Sequence, residues 1–182
     1  MRIISGQHKG FVFPKKNMPH TRPTTDRGKE ALFNIIDQHF YFEDIDVLDL
    51  YAGLGSITFE FVSREVKSIT CIEGNSKSIR YIEEIKQKLA ANLEVRQSKV
   101  LSYLKSSLNT FDVIFADPPY MAGQEIQDLI KAIENGSYLN NGGVFILEHQ
   151  SNIKMNHWAC YDTRKYGQST FSFFNFEKQA ND

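Results

Sequence analysis

The feature that most constrains the fold is an alternation of short apolar runs with amphipathic helical stretches, filling the chain from Asp46 to Glu148. Runs at 47–50, 68–72, 93–97, 111–116 and 143–148 have strand length, and stretches at 56–64, 76–92, 100–108 and 124–133 carry helical spacing between them. In 76–92 the residues Ile79, Ile82, Ile85 and Leu89 share one face. Strands that alternate with helices require a parallel sheet covered on both faces, because a parallel crossover needs a helix. The tail departs from this pattern. Segments 158–164 and 169–176 have no helix between them and a turn at Tyr166-Gly167, which predicts an antiparallel pair at the sheet edge. Upstream, Thr24, Thr25 and Asp26 are N-cap candidates for a helix over 26–40, in which Ala31, Leu32, Ile35, Ile36 and His39 or Phe40 fall at helical spacing. Residues 2–13 read as a hairpin and 15–23 as a loop.

With 182 residues, 41% of them hydrophobic, the chain makes one globular domain and leaves no room for a second. No amino-terminal run has the form of a signal peptide, and no segment approaches the ~20 apolar residues of a membrane span, so a cytoplasmic location without membrane attachment is expected. Cys71 and Cys160 are far apart, and the five histidines show no ligand spacing, so neither a disulfide nor a metal site is expected. The formal net charge of -1 conceals an asymmetry. Residues 1–30 hold seven basic residues (Arg2, Lys9, Lys15, Lys16, Arg22, Arg27 and Lys29) against Asp26 and Glu30, a net +5 that leaves -6 for the rest. A basic arm beside an acidic body points to a polyanion such as nucleic acid.

Two constellations carry chemistry. Asp49-Leu50-Tyr51-Ala52-Gly53-Leu54-Gly55 follows the first predicted parallel strand and precedes a helix, at the ligand end of a doubly wound sheet. Its glycines let the backbone pass close beneath a ligand. Glu73, ending the second strand roughly 20 positions on, is placed to take both ribose hydroxyls. Thr58 stands where a dinucleotide fingerprint has its third glycine, which removes the close helix approach a pyrophosphate needs and favours a nucleoside cofactor without phosphates over nicotinamide. The second constellation is Asp117-Pro118-Pro119-Tyr120, directly after the apolar run 111–116. Two prolines stiffen the turn and remove two donors, leaving carbonyls and one carboxylate toward the crevice. Such an acceptor-rich turn suits an amino group, held by Asp117 and the Pro118 carbonyl while Tyr120 stacks on its base.

DPPY after an apolar strand is similar to the amino-methyltransferase signature of the class I, Rossmann-like S-adenosylmethionine-dependent enzymes. More closely, RIISGQHKG, RPTTDRGKEALFNII, VLDLYAGLGSITFEFVSR, CIEGN, ADPPY and KYGQSTFSFF resemble, in family order, the RsmD family of 16S ribosomal RNA guanine-N2 methyltransferases. The resemblance implies an α/β fold: a Rossmann-like, doubly wound seven-stranded sheet with an antiparallel last strand, plus an amino-terminal β-hairpin extension. It implies S-adenosylmethionine as cofactor, with Asp49, Gly53 and Gly55 on its methionine and ribose side, Glu73 on its ribose hydroxyls, and Asp117 to Tyr120 on the target base; Tyr51 is a further expected cofactor contact, and Thr24 or Thr25 is expected near the reacting methyl group. Many such enzymes place an aspartate on the adenine amine after the third strand; here Gln97-Ser98-Lys99 stands instead, and Ser98 or a backbone carbonyl takes that place. Leu54 and Thr58 also depart from the usual AGSG loop.

The organisation expected is therefore a basic RNA-binding extension over 1–24 and a methyltransferase domain over 25–182, acting as a monomer on 16S rRNA or a small-subunit particle. Lys9, Lys15, Lys16, Arg22 and Arg27 are the expected RNA contacts. Three other readings compete: an adenine-N6 methyltransferase on DNA or RNA, which the same acceptors would serve; a noncatalytic RNA-binding assembly factor; and a nicotinamide dehydrogenase, which Thr58 and the lack of an evident hydride-transfer acid disfavour.

Overall fold

In the computed structural model, which describes residues 1–15, 25–119 and 123–177, the predicted alternation becomes a doubly wound sheet. After helix α1 (Asp26–Asp37) and a 3-10 turn (Phe42–Asp44), the order is β1 (Asp46–Leu50), α2 (Ser56–Ser63), β2 (Ser68–Glu73), α3 (Ser76–Lys88) and β3 (Glu94–Gln97). Then follow α4 (Val100–Ser106), β4 (Phe111–Ala116), α5 (Gly123–Asn135), β5 (Leu139–Gln150), β6 (Cys160–Tyr166) and β7 (Ser169–Phe174). Seven strands form one sheet in the order β3-β2-β1-β4-β5-β7-β6. Strands β1 to β5 pair in parallel, whereas β7 runs antiparallel between β5 and β6. The strand order reverses between β1 and β4, so the crevice that binds ligands in such sheets opens at their carboxyl ends.

The central apolar runs, in β1, β2, β4 and β5, read as strands because they are buried on both faces, whereas the edge strand β3 is largely exposed. Along β1, Val47 packs into the layer of α1, α2 and α3, while Leu48 and Leu50 pack into the layer of α4 and α5. Along β4 and β5 the two-residue period repeats: Val113, Phe115, Val144 and Ile146 face the first layer, and Ile114, Ala116, Phe145 and Leu147 the second. The edge strand β6 instead exposes Thr163, Arg164 and Lys165, charged and polar side chains that discourage further pairing.

Several boundaries differ from expectation for identifiable reasons. Helix α3 stops at Lys88 rather than 92, because Ala90 takes a left-handed φ of 49° and the Ala91 N–H donates back to the Lys86 carbonyl at 2.9 Å. Helix α1 ends at Asp37, three residues short of Phe40. Strand β5 is longer than 143–148 at both ends. The tail pair begins at Cys160 rather than 158, and its inner strand is covered by β6. The amino-terminal hairpin forms only one bridge, Arg2 to Val12, supported by the Ile3 N–H to the Phe11 carbonyl and the Phe13 N–H to the Met1 carbonyl.

That arm is bound to the body by a buried ionic group. Lys29 and Glu60 are fully buried and pair at 2.9 Å; Glu60 also accepts from Arg64 at 2.6 Å and from the Ile4 N–H at 2.9 Å, and Lys29 donates to the Arg2 carbonyl. Ile3 and Phe13 enter the same hydrophobic cluster as α1 and α2. At Gly6 the arm passes so close to the end of α2 that a Cβ would lie 1.8 Å from the Ser63 carbonyl oxygen. Lys29, one of the seven basic residues of the first thirty, is thus not a surface charge, and Arg2 is paired with Asp26 at 2.7 Å.

Candidate active site

One cavity of about 880 Å³ occupies the crevice at the carboxyl ends of β1, β2, β4 and β5. Its floor starts where β1 ends. Tyr51 takes a left-handed φ of 62°, an uncommon conformation for a residue with a side chain. The next amides are tied down: the Ala52 N–H donates to the Ile72 carbonyl at 3.1 Å and the Gly53 N–H to Glu73 Oε2 at 2.8 Å. Glu73 Oε1 accepts the Asn75 N–H at 2.7 Å, so this carboxylate clamps the glycine loop to the start of α3. Gly55, at φ 78°, begins α2 over the ring of Phe59; a Cβ there would lie 2.8 Å from that ring.

Beneath the loop, Asp49 is 1% exposed and accepts the hydroxyl of Thr58. Burial, with a smaller push from Glu73, raises its carboxyl up to about 7. Thr58, read from sequence as a departure from the fingerprint, is therefore the residue that satisfies Asp49. Across the sheet the Asp117 N–H donates to the Leu50 carbonyl at 3.4 Å, which seats the Asp-Pro-Pro turn against β1. The Asp117 carboxyl lies well above its usual range through burial, then through the charges of Glu148 and Asp49. Neighbouring His149 is used by the frame: Nδ1 meets the Gln150 carbonyl at 2.9 Å and Nε2 the Ser172 hydroxyl at 2.8 Å, and burial lowers its pKa. Four carboxyls in one cleft, Asp49, Glu73, Asp117 and Glu148, two of them held toward the protonated form, make a pocket that favours a cation.

Of the residues anticipated from sequence, Asp49, Tyr51, Gly53, Glu73, Thr25, Arg27, Asp117, Pro118 and Pro119 all line this cavity. Thr25 does so while capping α1, accepting the Gly28 N–H at 3.1 Å. Gly55 shapes the loop without lining the cavity. Ser98 stays outside it: its N–H donates to the Glu73 carbonyl at 3.1 Å and its hydroxyl to the Lys99 carbonyl at 3.0 Å. Lys9 and Lys15 are not part of the lining, and Tyr120, Lys16, Arg22 and Thr24 lie outside the described residues. Sequence reasoning did not single out Ser56, Glu148, His149 or Lys165, all of which line the cavity. The block KYGQSTFSFF contains Lys165, and the tip of the β6–β7 hairpin forms one wall. Among the described residues no group of three or more His, Cys, Asp and Glu side chains has metal-binding geometry, and no helix is long and apolar enough to cross a membrane.

The chain is 31% identical to the ribosomal RNA small subunit methyltransferase D of Buchnera aphidicola (subsp. Baizongia pistaciae), over 96% of this chain and 91% of that one. It is 28% identical to the protein of the same name from Escherichia coli K12, covering 99% and 92% of the two chains. Among solved structures, a putative methyltransferase, yhhF, from Escherichia coli superposes with a TM-score of 0.83 at 28% identity, over 98% of this chain and 99% of that one. A family model described as conserved hypothetical protein 95 matches residues 1–175, a span that includes the arm, the glycine loop and the Asp-Pro-Pro turn; the chain belongs to this family, that of the small-subunit rRNA methyltransferases D (RsmD).

Proposed function

We propose that this protein transfers a methyl group from S-adenosylmethionine to the exocyclic N2 amine of a guanine in 16S ribosomal RNA. The observation that carries the reading is the convergence, in one cavity, of a clamped glycine loop, the carboxylate Glu73 at the end of β2, and the acceptor-only Asp-Pro-Pro turn at the end of β4. The names of the relatives support rRNA as the substrate class.

The residues present fit the cofactor. Ser56 Oγ, at the first residue of α2 and on the cavity wall, is the one buried side-chain polar atom among the described residues that lacks a hydrogen-bond partner. Together with the Ser56 and Ile57 N–H groups at the α2 amino terminus it suits the carboxylate of a methionine moiety. Glu73, whose oxygens keep further lone pairs beside the loop amides, suits a ribose diol. The buried acids Asp49 and Asp117 suit a sulfonium. When bound, S-adenosylmethionine supplies an electrophilic methyl group on a positively charged sulfur.

The chain's own contribution is orientation and electrostatics. Asp117 and the Pro118 carbonyl each accept one N–H of the target amine, drawing its nitrogen out of conjugation with the ring and facing its lone pair toward the methyl group. They stabilise the positive charge that grows on nitrogen as the new N–C bond forms, and the surplus proton leaves afterwards to solvent. The base reaches this depth by leaving its stack. Residues 1–24, with Lys9, Lys15, Lys16 and Arg22, and then Arg27 on the rim, hold the RNA backbone, while 25–182 perform catalysis.

The test is methylation of small-subunit RNA and particles from cells lacking the gene, followed by nucleoside digestion and mass mapping. N2-methylguanosine at one position is expected; N6-methyladenosine instead overturns the base assignment, and no methylation of any RNA overturns the catalytic reading.

A further inference from the structure

One of the four acids lining the site has no part in the methyl-transfer scheme. Glu148 lies on β5, one residue beyond the Ala116 to Leu147 pair, at the level where β4 gives way to Asp117. It is 6% exposed, lines the cavity, and is close enough for its charge to push up the Asp117 carboxyl. Its neighbour on β7 is Phe171, which is fully buried. The cleft thus presents two carboxyl groups side by side, from adjacent strands, next to a turn whose prolines have no N–H.

A target base meeting this wall must offer donors, and more than one. Adenine places an acceptor, N1, beside its 6-amine, and cytosine places an acceptor, N3, beside its 4-amine; either would set a lone pair against a buried carboxylate. Guanine alone among the amine-bearing bases has a donor, N1–H, beside its 2-amine. A carboxylate next to the amine site therefore attracts guanine and rejects the others, since two lone pairs that face each other in a buried site repel.

We infer that Glu148 is the specificity-determining residue of the site: its carboxylate accepts the N1–H of the target guanine while Asp117 and Pro118 hold the adjoining 2-amine. This assignment rests on the proposed methyl-transfer function, and the experiment keeps the two apart. Once the modified nucleotide is mapped, RNA is assembled with either guanine or 2-aminopurine at that position. 2-Aminopurine keeps the 2-amine and has no hydrogen on N1. The parent protein is expected to prefer guanine in kcat/KM by roughly 10- to 100-fold, the range for one hydrogen bond to a charged group. Glu148→Gln is expected to narrow that preference and Glu148→Ala to bring it within about 3-fold, through loss of activity on guanine, with binding of S-adenosylhomocysteine unchanged. A merely structural role would lower both substrates alike. A parent that methylates both RNAs equally, or a Glu148→Ala protein that keeps the full preference, overturns the inference while methyl transfer stands. A parent that methylates neither RNA overturns both.

Discussion

Replacing Asp49 by Asn tests the electrostatic account of the cavity, because Asn removes the ionisation while its carbonyl still accepts the Thr58 hydroxyl. Burial holds the Asp49 carboxyl up to about 7, against an ordinary value of 3.8. In the free protein the folded state therefore binds a proton that the unfolded chain has already released. A group whose folded pKa is raised costs nothing below the unfolded value and its full cost above the folded one, so the parent loses stability as pH rises from about 4 to above 7. At 1.36 kcal/mol per unit the loss is roughly 4 kcal/mol. Asn at position 49 escapes this cost, so the stability of the variant relative to the parent should grow by that amount between pH 4 and pH 8. For a chain of this size that is a widening of roughly 10 °C in melting temperature. Any fixed cost of burying the amide moves the whole difference curve and leaves its slope. Thermal melts of both proteins at five pH values, without cofactor, provide the measurement; parallel curves would refute the claim that a carboxyl stripped of water sits beneath the glycine loop.

A cationic cofactor displaces protons from Asp49 and Asp117, so S-adenosylmethionine should tighten relative to its neutral product S-adenosylhomocysteine as pH rises from 5.5 to 8.5; calorimetry showing a ratio of dissociation constants that is flat with pH would contradict this. Glu60→Ala leaves Lys29 buried without its partner and should destabilise by about 3 to 5 kcal/mol, read as a fall in denaturation midpoint; a change under about 1 kcal/mol would show that the arm is not held by this pair. A Lys9→Ala, Lys15→Ala, Lys16→Ala protein should keep its cofactor affinity and bind RNA with a salt slope lower by roughly 0.7 to 0.9 for each phosphate it no longer neutralises, and an unaltered slope would make these lysines ordinary surface.

The glycine loop and the Asp-Pro-Pro turn were legible because each depends on local backbone chemistry: Gly55 must reach a φ of 78°, and two adjacent prolines cannot donate. Their meeting in one cleft follows from the βαβ pattern, which puts the ends of β1 and β4 side by side wherever the strand order reverses. Thr58 shows the limit of motif reading. Judged by the fingerprint it is a missing glycine, and only the packing of α2 on β1 shows it bonded to Asp49. Ser98, proposed for the adenine side from its place after the third strand, turns its hydroxyl back to the Lys99 carbonyl instead of joining the cavity wall.

What the sequence determined alone is the class of fold and the segments that form the cleft, since hydrophobic period, turn chemistry and chain order act over a few neighbouring residues. The tertiary structure decided which distant side chains share an environment. Lys29 and Glu60, 31 positions apart, are a basic and an acidic residue to any composition count, yet as a buried pair they anchor the arm. Glu148 reads as the polar end of an apolar strand until β4 and β5 align it with Asp117. The reason is common to both: the behaviour of an ionisable group depends on the water and charge around it, and those are set by residues far away along the chain.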